Sequence, residues 1–295
     1  TLLGPFALYR GRRYRLSRTQ WRGIRFGQDG SASNYALLYT FGLAVVALSL
    51  GLAYPWFSTG LQRYKIAHTR FGRQQFSFDG RARRLMPAWL QFWAAALVAI
   101  VVVGYLAGLF GGPLIAELRA GQSFGSVTDQ TLVGAGIGLL ESLAAALIAL
   151  AAYVNYRLVE FRVFVGATRI GGVALAASPR FGPVFRVVLL YAGALLLVTL
   201  VALGGAFALY LAQPGGGTAL VSFGLVMPAL LMLGYVIVWP LARNAILYHG
   251  LLGHLVATLA VGDLTALASI LQDEQSVPSS GEGLADALDV DIGAF

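Results

Sequence analysis

The sequence predicts an all-α polytopic membrane protein of about five membrane segments, with short cytoplasmic β-strands supplied by a repeated unit. Three features predict it. Hydrophobic residues make up 58% of the 295 and charged ones 12%, against about 25% charged in soluble domains, and mean hydropathy is +0.73. Apolar runs at residues 34–57, 86–110, 130–153, 183–212 and 219–240 are long enough to cross a bilayer, whose roughly 30 Å hydrocarbon core takes about 20 residues of helix. Between the runs, basic stretches recur that end in alternating, strand-like residues. An outer-membrane barrel would instead give alternating segments of about ten residues, and the apolar runs do not alternate.

The connections set the sidedness. Residues 111–129 and 213–218 carry one arginine between them, Arg119, while the other connections are crowded with arginine. Because basic loops stay on the cytoplasmic side, the poor loops face outward, and helical hairpins follow over 86–153 and 183–240. The first run is harder to thread. Arg10, Arg12, Arg13, Arg15, Arg18, Arg22 and Arg25 precede it, and Arg63, Lys65, Arg70, Arg73, Arg81, Arg83 and Arg84 follow it. Either 34–57 spans and breaks the rule, or it dips in and returns near Ser49-Leu50-Gly51 behind protein neighbours. The charge pattern slightly favours the re-entrant path. The opening TLLGPFALYR reads as the end of an apolar helix entering a basic segment, so a natural chain extending upstream is expected. It lacks the order of a cleavable signal peptide.

Shifted by fifty residues, the first basic stretch reappears in the second. Pro5 falls on Pro55, Arg13 on Arg63, Tyr14 on Tyr64, Arg15 on Lys65, Thr19 on Thr69, Phe26 on Phe76, Asp29 on Asp79 and Gly30 on Gly80. A third copy, YVNYRLVEFRVFVGATRIGGVALAASP, places Arg162, Thr168, Arg169 and Gly171 where Arg63, Thr69, Arg70 and Gly72 stand. A fourth starts at Trp239-Pro240, without a settled register. The units lie near 5–30, 55–80, 153–179 and 239–262, so residues 1–262 form a repeat-built membrane domain and 263–295 a tail. In each unit a helix passes a proline or aromatic at the membrane rim, continues as a basic stretch whose side chains snorkel or meet lipid phosphate, turns at Thr-x-x-Gly, and ends in one short strand. Strands this short are marginal alone, so those of several units are expected to pair into one small sheet.

The run LGLAYPWFSTGLQRYKIAHTRFGRQQFSF and its echo LLGPFALYRGRRYRLSRTQWRGIRF resemble the YjgN-like bacterial inner-membrane proteins. Gly51, Tyr54, Trp56, Arg63, Tyr64, Thr69 and Phe76 carry the match, with Pro55 beside them; the glycine, Gly72, stands one place early. The resemblance covers most of the chain and implies no established activity. It implies a partner, a membrane-associated zinc metallopeptidase whose gene often lies beside those of the family. The third and fourth copies depart from the signature: Val163 replaces the tyrosine, Leu175 the phenylalanine, and only Arg243 remains basic near the fourth.

Few residues offer chemistry. Glu141 is the one acid deep in an apolar run, and an ionisable group there is either a proton or cation site or a neutral acid hydrogen-bonded across helices. Gly134 and Gly138 form a GxxxG that suits close packing, with a flexible gate as the alternative, and Pro228 could kink the last run. His68, His249 and His254 lack metal-ligand spacing, no thiolate is available because there is no cysteine, and phosphate-loop, nucleophile-elbow and dinucleotide motifs are missing. No metal or cofactor is expected. Arg63, Arg70, Arg162 and Arg169 either anchor the protein to lipid or converge on an anion, since the repeat places them equivalently. All 21 Lys and Arg lie in residues 1–262 against six acids, and 263–295 carries seven acids and no base. That asymmetry excludes nucleic acid as the reason for the charge and lets the tail lie on the basic face or dock on a partner. The expected function is a non-catalytic scaffold or partner-binding subunit; a transporter or lipid-handling protein built around Glu141 is the alternative, and an enzyme comes third.

Overall fold

The structure, a computed structural model, describes residues 3–112, 116, 129–211, 229, 231–262, 267 and 270. The chain divides into two compact units, Thr1–Ala177 with Ala260–Phe295, and Ser178–Leu259.

In the first unit, α1 (Leu3–Arg18) leads to β1 (Gln20–Trp21) and β2 (Ile24–Gln28); α2 (Ala32–Leu48) and α3 (Tyr54–Ala67) lead to β3 (Thr69–Phe71) and β4 (Gln74–Phe78). Then α4 (Met86–Leu106), extended by a π-helical turn Ala107–Gly111, pairs with α5 (Asp129–Gly166), which leads to β5 (Thr168–Ile170) and β6 (Val173–Ala177). Three of these helices, α1, α3 and α5, stop at a threonine for one local reason. The last carbonyls of a helix have no intrahelical donor, and a threonine hydroxyl supplies one: Thr19 Oγ1 donates to Arg15 O at 2.9 Å, Thr69 Oγ1 to Lys65 O at 2.7 Å and Thr168 Oγ1 to Phe164 O at 2.8 Å. The β-branch then favours extended backbone.

Each threonine is followed by two strands, where the sequence suggested one. Segments such as Thr69–Phe71 are too short to show periodicity; they become strands because a two-residue turn folds them onto the next segment. Such turns need left-handed backbone, met by Arg22 (φ 51°) and Gly23 (φ 80°), by Gly72 (φ 54°), and by Gly171 (φ 54°) with Gly172 (φ 85°). Gly72 stands one place early because it fills the first turn position, whereas Gly23 fills the second.

All seven strands, β1 to β7 (Leu259–Val261), lie in chain order in one sheet, and the pairs from β1 to β6 are antiparallel. The registers Phe26↔Phe71, Phe71↔Gln74, Phe76↔Ile170 and Ile170↔Val173 put these residues on one face. There Phe71, Ile170 and Val173 form a buried core with Ile24, Phe26 and Phe76, joined by Leu267 and Ile270 from the start of the acidic tail. Ile66, Phe78 and Ala167 form a second cluster where α3 and α5 end. The same registers put Arg25, Arg70, Gln75, Ser77 and Arg169 on the opposite face.

The first apolar run does reverse direction. α2 ends at Ser49, Leu50 and Gly51 take left-handed φ values of 51° and 90°, and α3 runs back to the sheet with Pro55 in its first turn. Its two ends meet: Tyr64 Oη donates to Ser31 O at 2.9 Å and Asp29 N donates to His68 O at 2.8 Å. At the tip, Trp93 Nε1 donates to Leu50 O at 3.0 Å and Trp89 Nε1 to Gly51 O at 3.1 Å, which gives the freed carbonyls the protein partners that an apolar surrounding withholds. Leu48 and Leu50 project outward at 87% and 76% exposure.

In the second unit, α6 (Phe181–Leu211) packs beside α7 (Leu231–Ala257). Tyr191 and Trp239 rings meet at 6.0 Å, and the Thr199 and Tyr235 hydroxyls lie 2.9 Å apart. α7 runs well past residue 240, widening to a π-helical turn at Arg243–Tyr248. Thr258 Oγ1 donates to Leu255 O at 2.9 Å. Thr258 therefore takes the place of Thr168 and sets the register that the sequence left open, and His254–Ala257 are helical rather than extended. Pro228, most of the outer connections and 271–295 lie outside the described residues.

Met86–Phe110, Val133–Gly166, Phe181–Gly205 and Leu231–Ala257 are long and apolar enough to cross a membrane, and α2 is a shorter apolar helix. The protein is a membrane protein. Gly134 and Gly138 flank the Phe110 ring, which would lie 2.7 Å from a Cβ at either position, so this GxxxG seats a side chain. Leu50 O has no other donor among the described residues. Trp93→Phe is therefore expected to lower stability by about 1–3 kcal/mol, read by denaturant or thermal unfolding in detergent, while Trp56→Phe, at a half-exposed ring, leaves it nearly unchanged.

Candidate functional site

The polar groups of the first unit gather where α1, α2, α3 and α5 approach the sheet. Tyr9, Tyr35 and Tyr64 bring the first three helices together, with ring centroids 5.0, 5.7 and 5.9 Å apart. Tyr9 Oη donates to Asp29 O at 2.5 Å. One turn on, Arg12 reaches the sheet, donating from Nε to Gln28 Oε1 at 3.2 Å and from Nη2 to Thr69 Oγ1 at 3.4 Å. Gln28 is buried, and its Nε2 has no hydrogen-bond partner among the described residues.

From α5 comes Glu160, only 4% exposed. It accepts from Tyr156 Oη at 3.1 Å and from Arg157 Nη1 at 2.5 Å. Tyr156 in turn packs against Trp89 and Tyr54, which stack at 4.8 Å. Glu160 escaped the sequence reading because it sits in a basic stretch and looks like a surface charge. Its i, i+4 tyrosine and i, i+3 arginine were the available signal, since they give a carboxylate two donors on one side of a helix.

Lys65, the one lysine, is held down at about 8 by burial first and then by the Arg12 charge, with Glu160 acting in the opposite direction. Burial also lowers Arg12. The cluster thus sets three cations, Arg12, Lys65 and Arg157, against one carboxylate, Glu160. That excess of positive charge suits the cluster to holding an anion.

Of the arginines singled out in the sequence, Arg70 and Arg169 lie on one face of the sheet, on β3 and β5. Arg63 and Arg162 lie earlier, on α3 and α5. Arg63 Nη2 donates to Gly80 O at 2.9 Å, and Arg70 Nε lies 3.4 Å from Asp29 Oδ1. Glu141 is exposed on α5, well before the polar cluster. The signature residues occupy structural positions: Tyr54 stacks on Trp89, Tyr64 closes the base of the hairpin, Thr69 and Thr168 end helices, Gly72 and Gly171 make turns, and Phe76 packs on Phe26 at 6.4 Å. Pro55 starts α3 and accepts at its carbonyl from Thr59 Oγ1 at 2.6 Å; Trp56 is half exposed. His68 Nδ1 lies 2.8 Å from Tyr64 O. Among the described residues, no three His, Cys, Asp or Glu side chains gather as a metal site would require.

The family model described as bacterial protein of unknown function (DUF898) matches residues 1–287. The chain belongs to this family. The match agrees with the YjgN-like resemblance, and it carries no activity with it. No curated protein and no solved structure matches.

Two expectations follow from the DUF898 site. Between about pH 8 and ~10.4 the unfolded chain keeps a proton that folded Lys65 has released, so wild-type stability rises with pH across that window. Lys65→Met should be more stable than wild type at pH 7, and the difference should shrink through the window, as pH-dependent thermal unfolding would reveal. Arg157→Leu leaves the Glu160 carboxylate buried with one donor and should cost about 3 kcal/mol, much of it recovered in the double variant Arg157→Leu/Glu160→Leu, because removing both charges leaves none stranded.

Proposed function

We propose that this protein is a non-catalytic scaffold of the bacterial inner membrane, with the arginine-rich units, the sheet and the acidic tail on the cytoplasmic side. The observation that carries the reading is the sheet. Its strands follow the ends of successive helices in chain order, so one platform ties together segments that lipid alone would leave weakly associated. One face is taken up by the apolar core beneath Leu267 and Ile270. The other carries Arg25, Arg70 and Arg169 with Gln75 and Ser77, a polar, basic face of the kind that recognises acidic protein or lipid surfaces.

The repeated unit gives this arrangement its logic: helix, capping threonine, glycine turn and return strand. Arg63 and Arg162 occupy equivalent helical places, and Arg70 and Arg169 equivalent strand places. The α2–α3 hairpin is read as dipping into the membrane from the cytoplasmic side, which keeps both arginine clusters on that side. The first partner to test is the membrane metallopeptidase that the family resemblance implies.

Tagged full-length protein crosslinked in native membranes is expected to bring down a partner in fixed ratio. Reversing the face with Arg25→Glu, Arg70→Glu and Arg169→Glu should release that partner while leaving the protein in the membrane. Recovery of the wild type without any partner after crosslinking would sink the scaffold reading.

A further inference from the structure

The cluster between α1, α3 and α5 has more positive charge and more donors than its own residues answer. The charged groups around Lys65 are Arg12 from α1 and Arg157 with Glu160 from α5. Glu160 is already engaged by Arg157 at 2.5 Å and by the Tyr156 hydroxyl at 3.1 Å. Among the described residues Arg12 donates to neutral oxygens, those of Gln28 and Thr69. Gln28 Nε2 is buried without an acceptor among the described residues, and the Lys65 ammonium makes no hydrogen bond among them. A buried donor with no acceptor is costly, and a half-buried charge favours a counter-charge nearby. Arg12 Nη2 and the Lys65 carbonyl meet at one hydroxyl, Thr69 Oγ1, so the guanidinium lies against the end of α3 that carries Lys65.

We propose that Arg12, Lys65 and the Gln28 amide, with Arg157 alongside, form a binding site for a phosphate group, either in the headgroup of an anionic phospholipid or as free phosphate. The chemistry fits. A phosphate offers several acceptor oxygens and up to two negative charges, matching a planar guanidinium fork, a compact ammonium and a neutral amide donor at once. Arg12 and Lys65 are partly exposed, so the site opens to the surface. It sits where α1 and α3 give way to strands. The site is separate from the outer sheet face and does not depend on the scaffold reading.

The test uses full-length protein in neutral detergent, with unfolding temperature measured against added phosphatidylglycerol, phosphatidylcholine and inorganic phosphate. At pH 7 phosphatidylglycerol should stabilise the wild type by several degrees more than phosphatidylcholine does. Lys65→Met and Arg12→Gln should each cut that excess several-fold. At pH 9.5 the wild type should lose most of the excess as Lys65 gives up its charge, while Lys65→Arg retains it, a readout that a merely misfolded variant would not produce. Inorganic phosphate that reproduces the shift with the same sensitivity to the variants would identify the free ion as ligand; a response confined to phosphatidylglycerol would identify the headgroup. Equal responses to the two lipids, with none to phosphate, would overturn the site. So would responses that Lys65→Met and Arg12→Gln leave undiminished. A response that appears only after the seven acids of 263–295 are neutralised would mean that the chain's own carboxylates hold the site, and would overturn it as well.

Discussion

A helix leaves its last carbonyls without intrahelical donors. The rest of this structure depends on how that deficit is met. At Thr19, Thr69, Thr168 and Thr258 a hydroxyl turns back onto the preceding helical turn, and the chain passes at once into a strand whose backbone groups are satisfied by a neighbour. The sheet is therefore the means by which several helix ends resolve one shared problem. Because the same device recurs, the strands can lie side by side in the order they are made.

The same constraint shapes the α2–α3 hairpin. A chain that reverses among apolar surroundings exposes carbonyls at its tip, and here the indoles of Trp89 and Trp93, one turn apart on α4, supply the donors. Tyr54 stacks on Trp89, and Trp89 meets Tyr156 of α5, so the aromatic cluster that stops the hairpin from fraying also sets α5. That contact brings Glu160 and Arg157 to the base of α3, beside Lys65. Aromatic packing at the hairpin tip and the charged cluster near the sheet are two ends of one arrangement.

The fold was legible where the physics is local or compositional. Apolar runs give helices, and two stretches with one offset, Pro5 to Gly30 and Pro55 to Gly80, announce that what one does the other does too. Strand pairing was half legible. Phe76-Ser77-Phe78 alternates and reads as a strand, but Thr69-Arg70-Phe71 is too brief to read and exists as a strand only because Gly72 turns it onto Gln74–Phe78. Of the candidate site, the arginines were visible and Glu160 was not. A carboxylate four residues from a tyrosine is ordinary on a helix until the packing of Leu85, Trp89 and Tyr156 buries that side of α5.

The sequence by itself determined that the chain lives in a membrane, that its basic segments recur, and that a helix leads into extended backbone at each recurrence, because length, charge and hydroxyl or glycine placement act over a few residues. Only the tertiary structure decided which groups meet. The order of the strands, the indoles that close the hairpin and the cluster of Arg12, Lys65 and Glu160 join residues far apart in sequence, and no local pattern encodes a contact between elements whose approach depends on everything packed between them.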